Sequence, residues 1–246
     1  MANILNKWTK FLAVGCSHGS HISQTAREAV LSFKSRYSPT EVIHLGDAID
    51  CTSLRGGAMK DPSSGDYSSD LADDFESGIG FLKELEPTIY LLGNHEHRLY
   101  SLLSSSSAVI SFCAEKGVEE IEKATKKMHC RVFPYDIEKG IVVLGKTAFL
   151  HGYAHSENAV RDSVESLGMP IIMAHLHRPE IQRGRVLNSP IGICSGTIAD
   201  IGAMSYARQR RATLRWGHGF VWGEYSQKGC VAWLATPTAG EWRLPV

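Results

Sequence analysis

Metal-ligating residues recur in this chain at the ends of apolar runs, and that placement limits how the chain can fold. Five short stretches carry them in order: Cys16-Ser17-His18, Gly46-Asp47-Ala48-Ile49-Asp50, Gly93-Asn94-His95-Glu96, His151-Gly152 and His175-Leu176-His177. Apolar runs at 11–15, 41–45, 88–92, 147–150 and 171–173 precede them and read as strands. Ligating groups spread over more than half of a chain, each at a strand end, converge on one edge of a sheet, where α/β proteins place their sites. Imidazole, carboxylate and amide oxygen together suit borderline divalent ions such as Zn, Mn or Fe. His175 and His177 are two apart, so one extended strand would turn both to the same face.

The rest of the pattern is that of one α/β domain spanning 1–246. A strand at 11–15, a helix over 24–37 stopped by Pro39 and a strand at 41–45 open the chain as a βαβ unit. The polar stretch 59–69 is expected to be a loop. Residues 70–86 read as an amphipathic helix whose early acidic residues suit the helix dipole. A helical segment over 101–127, interrupted at Ser104–Ser107 and at Gly117, carries no ligand signature and is expected to form a cap insertion near 101–128. Strands at 130–133, 141–144 and 147–150, a helix over 156–167 closed by Gly168, and a strand at 171–173 follow. Glycine-rich β hairpins at 191–194, 220–225 and 231–234 finish the chain.

Composition removes several classes of function. The 26 Lys and Arg balance 26 Asp and Glu, so no global field draws the chain to nucleic acid. Six scattered cysteines without a C-x-x-C pair argue against a zinc ribbon, a redox motif or a disulfide scaffold. A cytoplasmic protein is expected. The first ten residues have no apolar core of a signal peptide, and no apolar run approaches the roughly 20 residues of a membrane helix. The ligands are too dispersed for a structural zinc knuckle.

In order and spacing the five stretches resemble the calcineurin-like metallophosphoesterases, whose motifs run D-x-H, G-D-x-x-D, G-N-H-[D/E], H and G-H-x-H. The resemblance covers about Leu12 to His177. Cys16 stands in place of the first aspartate, and Ala174 replaces the glycine before the last pair. Residues 195–220 look like phage-encoded members of the superfamily, which implies action in a host cytoplasm. The resemblance implies a four-layer αββα sandwich, two mixed sheets packed together and flanked by helices. It also implies two divalent transition-metal ions (Mn, Zn, Fe or Ni) and a phosphoester substrate, nucleotides and nucleic acids among them. The reaction expected is hydrolysis by metal-activated hydroxide, as a phosphatase or a phosphodiesterase.

The resemblance also assigns roles. Asp47 is the bridging carboxylate. Asn94, His151 and His175 complete one metal site with it, and His18 and His177, with Cys16 beside them, form the other. His95 is the non-ligand histidine that acts on the leaving-group oxygen, work that suits a group titrating near neutrality. Asp50 orients a ligand histidine. Arg98 either clamps a phosphate bidentately or holds Glu96 or the cap in place. Cys16 ligates after a small shift, acts through water or only neighbours the ion; a buried inert cysteine is the plainer alternative. Thiolate ligation would tilt that site toward Zn or Fe.

His44, inside an apolar strand, is expected to be a satisfied core residue. His21, His97, His129, His155 and His218 are expected on loops or the surface, with His21 and His97 near enough to line the pocket. Arg208, Arg210, Arg211 and Arg215 form a basic cluster that reads first as a solvated face and second as a contact for a large phosphorylated substrate. A metal-poor, non-catalytic scaffold on the same fold is the rival reading; its one support is the missing aspartate.

Overall fold

A computed structural model describes residues 7–60, 63, 65–66, 68–204 and 211–245. In chain order the elements are β1 (Thr9–Val14), α1 (Gln24–Tyr37), β2 (Glu41–His44), α2 (Gly56–Lys60), α3 (Leu71–Leu85), β3 (Ile89–Leu91), α4 (Asn94–Leu102) and α5 (Ala108–Lys127). There follow β4 (Arg131–Phe133), β5 (Val142–Leu144), β6 (Thr147–Leu150), α6 (Ala159–Leu167), β7 (Ile171–Met173), β8 (Pro179–Arg183), β9 (Ile191–Ser195), β10 (Phe220–Ser226) and β11 (Gly229–Ala235).

The strands form two mixed sheets flanked by helices. One has the order β11-β10-β1-β2-β3-β4, the other β5-β6-β7-β9-β8. In the first, β1 to β4 run parallel, and β10 joins β1 antiparallel. In the second, β6, β7 and β9 run parallel between two antiparallel edges. Alternation along the strands divides the apolar residues between layers. Phe11, Ala13, Ile43, Leu45, Ile89 and Leu91 turn inward and meet Phe149, Ile172 and Ile193 of the second sheet. Phe11 and Phe149 touch edge to face, ring centres 5.2 Å apart. Leu12, Val14 and Val42 turn outward onto Val30 and Phe33 of α1 and Phe81 of α3. Val160 and Val164 of α6 cover the outer face of β6 and β7.

The helices start and stop where side chains meet their free backbone groups. Asp70 caps α3 by accepting the N–H groups of Ala72 and Asp73 at 2.9 and 3.2 Å. Gly168 ends α6 in a left-handed conformation.

Several local expectations fail for physical reasons. Gly117 does not break α5. A Cβ there would lie 2.4 Å from the Phe75 ring, so glycine serves the close approach of α5 to α3. Met59 and Lys60, expected in a loop, end the short helix α2. The helix expected from 101 begins at Asn94 as α4, and α5 follows only from Ala108. Strand β8 was not expected: its sole apolar side chain beyond Pro179 is Ile181, which is exposed, as suits an edge strand opened by proline. His175 and His177 do not share an extended strand. Both follow β7 in a turn, with φ of 68° and 56°. Of the basic cluster, Arg208 and Arg210 lie outside the described residues. No helix among the described residues is long and apolar enough to cross a membrane.

Candidate metal centre

The five motif stretches leave the C-terminal ends of β1, β2, β3, β6 and β7, so parallel strands of both sheets deliver them to one edge. The turns that follow are tight, and non-glycine residues take the left-handed conformation in them: Cys16 (φ 55°), His18 (53°), Asp47 (55°), His175 and His177. Such residues cost of order 1–3 kcal/mol each and persist only where the surroundings fix them. Here backbone hydrogen bonds lace one turn to the next. Cys16 N–H donates to Gly46 O at 2.8 Å, His18 N–H to Asp47 O at 3.0 Å and Gly19 N–H to Ala48 O at 2.8 Å. Gly46 is irreplaceable on two grounds: its φ is 102°, and a Cβ would sit 2.4 Å from His151 Nδ1.

Two buried carboxylates gather further N–H groups of these turns. Glu96, in the first turn of α4, accepts from Gly93 (2.7 Å), Asp47 (2.9 Å), Ala48 (2.6 Å) and Ile49 (3.1 Å). Asp74, from α3, accepts from Cys51 (2.7 Å), Asp50 (3.2 Å) and Ser20 (3.3 Å). Neither role was read from the sequence. Glu96 carried a signal, since Glu at the third residue of a helix often reaches back to the turn before it. Asp74 looked like an ordinary dipole-friendly acid. Thr197, also missed, donates its hydroxyl to Cys16 O at 2.6 Å from the segment after β9.

The candidate ligands fall into groups that share Asp47. Cys16, His18, Asp47 and His177 form one; Asp47, His151 and His175 form another, and within each the ligand atoms lie within 4.8 Å of one another. Asp47 Oδ2 is 3.2 Å from His151 Nε2 and 3.9 Å from His18 Nε2. Asn94 Oδ1 is 3.1 Å from His151 Nε2, and His175 Nδ1 lies 3.2 Å from that same nitrogen. His18 Nε2 and His177 Nε2 face each other at 2.8 Å. Arg98 donates to the carbonyls of Asp50 (3.2 Å) and Cys51 (3.4 Å).

Hydrogen bonds on the far side of the rings set which nitrogen points inward. His18 Nδ1 donates to Asp50 Oδ1 at 2.7 Å and His151 Nδ1 to Leu45 O at 2.6 Å, leaving both Nε2 lone pairs directed at the centre. Burial opposes a charge on His18, yet the Asp50 carboxylate overrides it and raises the pKa; Asp47 does the same for His151. Burial and the neighbouring His151 hold His175 down to about 3. Burial, then Asp47, push the Cys16 thiol well above its usual range, and its sulfur accepts the His175 N–H at 3.2 Å. His177 Nδ1 is buried without a hydrogen-bond partner among the described residues. Converging imidazole lone pairs around one carboxylate oxygen form a donor set that fits a borderline divalent cation.

His95 lies outside both ligand groups that share Asp47, though His18, Asp50 and His95 also lie within ligating distance of one another. Its N–H donates to Asp47 Oδ1 at 3.0 Å and its Nδ1 meets Asp50 O at 2.5 Å. Its pKa is lowered, mainly by burial. His44 is the core residue expected: fully buried, 3.3 Å from the Ser17 hydroxyl, and pushed down to about 3 by burial. Of the histidines assigned to loops or the surface, His155 is exposed on the loop after β6, as expected. Its Nδ1 is 3.0 Å from His175 Nε2.

The profile of the calcineurin-like phosphoesterases matches residues 9–186. A sequence comparison with curated proteins finds no match. Among solved structures, a metallophosphoesterase from Sphaerobacter thermophilus is similar at 15% identity and a TM-score of 0.50, over 96% of this chain and 90% of that one. Looser likenesses include Vacuolar Protein Sorting 29 from Cryptosporidium parvum (13%, TM-score 0.45, 95% and 94% covered). The phosphoesterase Yfce from E. coli is another (13%, TM-score 0.39, 90% and 96% covered).

The carboxylate of Glu96 faces four N–H donors, so an amide there would turn its own donors against them. Glu96→Gln is expected to lower stability by about 1–3 kcal/mol in denaturant unfolding, and to reduce bound metal at a fixed metal concentration. Unfolding and metal content equal to the parent chain would show that the carboxylate does not organise the turns.

Proposed function

Because the chain belongs to the calcineurin-like phosphoesterase family, we propose that it hydrolyses phosphoesters at a dinuclear centre built on Asp47. The observation that carries this reading is that Asp47 belongs to both ligand groups, one with Cys16, His18 and His177 and one with His151 and His175, its Oδ2 3.9 Å from His18 Nε2 and 3.2 Å from His151 Nε2. His18, His177 and Cys16 would hold one ion, Asn94, His151 and His175 the other, and Asp47 would reach both. Divalent ions bound there polarise phosphoryl oxygens and bring the acidity of water near neutrality.

The chain's own residues supply the rest. Asp50 fixes the His18 ring through Nδ1 and presents its carbonyl to His95. Nδ1–H is committed to that carbonyl, so a proton taken up at Nε2 makes His95 an imidazolium, which burial opposes and the Asp47 and Asp50 carboxylates favour. That proton can pass to the departing alkoxide and leave the ring neutral. Arg98 fixes the Asp50–Cys51 turn from which both contacts arise. The segment 101–128 would then act as a neighbouring cap with no part in the chemistry.

Three outcomes are expected. The chain loaded with Mn or another transition metal hydrolyses a generic aryl phosphoester, and chelator abolishes the reaction. Absence of turnover on both mono- and diesters in all these metals would favour the metal-poor scaffold instead. His95→Ala lowers turnover by up to about 10³-fold with metal content unchanged, and the loss shrinks on esters with good leaving groups. Loss of metal in that variant would make His95 a ligand. Cys16→Asp strengthens the site at His18, Asp47 and His177 for hard ions such as Mg and Mn, since carboxylate is harder than thiolate. Unchanged affinity and metal preference at both sites would exclude Cys16 from the metal's surroundings.

A further inference from the structure

Beside the His175 end of the site lies a cavity of about 320 Å³ lined by His155, Glu157, Arg178, Arg211, Leu214 and Arg215. Three guanidinium groups line it; with Glu157 in the lining and Glu180 paired to Arg178, one positive charge remains in excess in a chain with none overall. The cavity is tied to the metal centre on both walls. On one, His155 Nδ1 meets His175 Nε2 at 3.0 Å, the rings 4.4 Å apart. On the other, the turn Arg211–Arg215 runs into Trp216, whose ring packs on His177 at 4.3 Å, and Gly217 N–H donates to His177 O at 2.9 Å.

The guanidinium groups have different duties. Arg178 is buried, pairs with Glu180 at 2.9 Å, and donates to the carbonyls of Ser156 and Glu157 at 2.9 and 3.0 Å, so it holds the floor. Arg215 meets Glu157 at 3.7 Å with both side chains more than half exposed. An exposed pair of that kind is worth about 0–1 kcal/mol, so an incoming anion can recruit Arg215 at little cost. Arg211 is exposed and forms no ion pair among the described residues. Guanidinium groups match phosphate oxygens two at a time.

We propose that this cavity binds a second phosphate of the substrate, so that the substrate class is a phosphoester carrying another phosphate on a spacer. The His155 ring stands between the cavity and His175, so the second phosphate belongs on a separate carbon of the substrate and not in an anhydride with the first. A nucleoside 3′,5′-bisphosphate and a 5′-phosphorylated dinucleotide both meet that requirement. The proposal rests on the hydrolase reading for its consequence and on the cavity for its chemistry.

Binding to the chelator-treated full chain, followed by calorimetry, tests it without turnover. A nucleoside 3′,5′-bisphosphate should bind at least tenfold more tightly than the matching monophosphate, and Arg211→Ala with Arg215→Ala should erase the difference. A parallel titration with the phosphorylated dinucleotide shows whether the second phosphate comes from a small molecule or a nucleic acid chain, by which binds more tightly. Equal affinities for mono- and bisphosphate in the parent chain, or a preference that survives the double substitution, overturn the proposal. Kinetics separate it from the hydrolase reading. In the metal-loaded parent, kcat/KM on the bisphosphate relative to an aryl phosphoester should exceed that ratio in the double variant about tenfold, through KM. Hydrolysis of aryl esters without that preference defeats the subsite alone. Preferential binding without any hydrolysis defeats the hydrolase alone.

Discussion

The centre depends on a carboxylate that supplies no candidate ligand atom and meets no solvent. Glu96 is fully buried, and four backbone N–H groups from two separate turns point at its two oxygens. Each unpaired N–H in such a place would cost about 1–3 kcal/mol. The Gly93 and Asp47–Ile49 turns are therefore locked to one another before any cation is considered. Asp74 does the same for Ser20, Asp50 and Cys51 from the side of α3. The turns around Asp47, Asp50 and Gly93, far apart in sequence, thus inherit their positions from main-chain hydrogen bonds to two acids.

That arrangement explains why left-handed backbone is concentrated here. Cys16, His18, Asp47, His175 and His177 all have positive φ, a conformation that side chains with a Cβ adopt at some expense. The strain is tolerated because neighbouring turns and buried acids leave the backbone no alternative. One consequence is that rings meet from different directions. His175 reaches His151 while His177, two residues on, reaches His18.

Much of this was visible in the sequence, and what was not has physical causes. Apolar periodicity located α1, β6 and β7 to the residue because each buries a continuous face. The motif residues Cys16, His18, Asp47, Asn94, His151, His175 and His177 come together as their order suggested. Strand β8 escaped because only Ile181 marks it and that side chain is exposed. Gly117 misled because a glycine needed for packing against Phe75 looks like one that breaks a helix. Asp74 and Thr197, and Glu96 apart from its bond to Gly93, act through backbone contacts with residues 23 to 181 positions away, and no local pattern encodes such partners. His155 lies on the surface loop expected of it, but its contact with the site escaped for the same reason. Its partner His175 belongs to another turn.

The antiparallel pairing of β10 with β1 sets Leu12 opposite Trp222, more than 200 residues apart in sequence. Chain closure over such a span is entropically slow, and contacts of that range retard folding. During synthesis β1 can find β2 early, but its other flank stays bare until residues 220–226 leave the ribosome. Cys16 and His18 hang from the end of that same strand. The ligand group they belong to should thus be the last to become rigid on a nascent chain, after the sheet is complete.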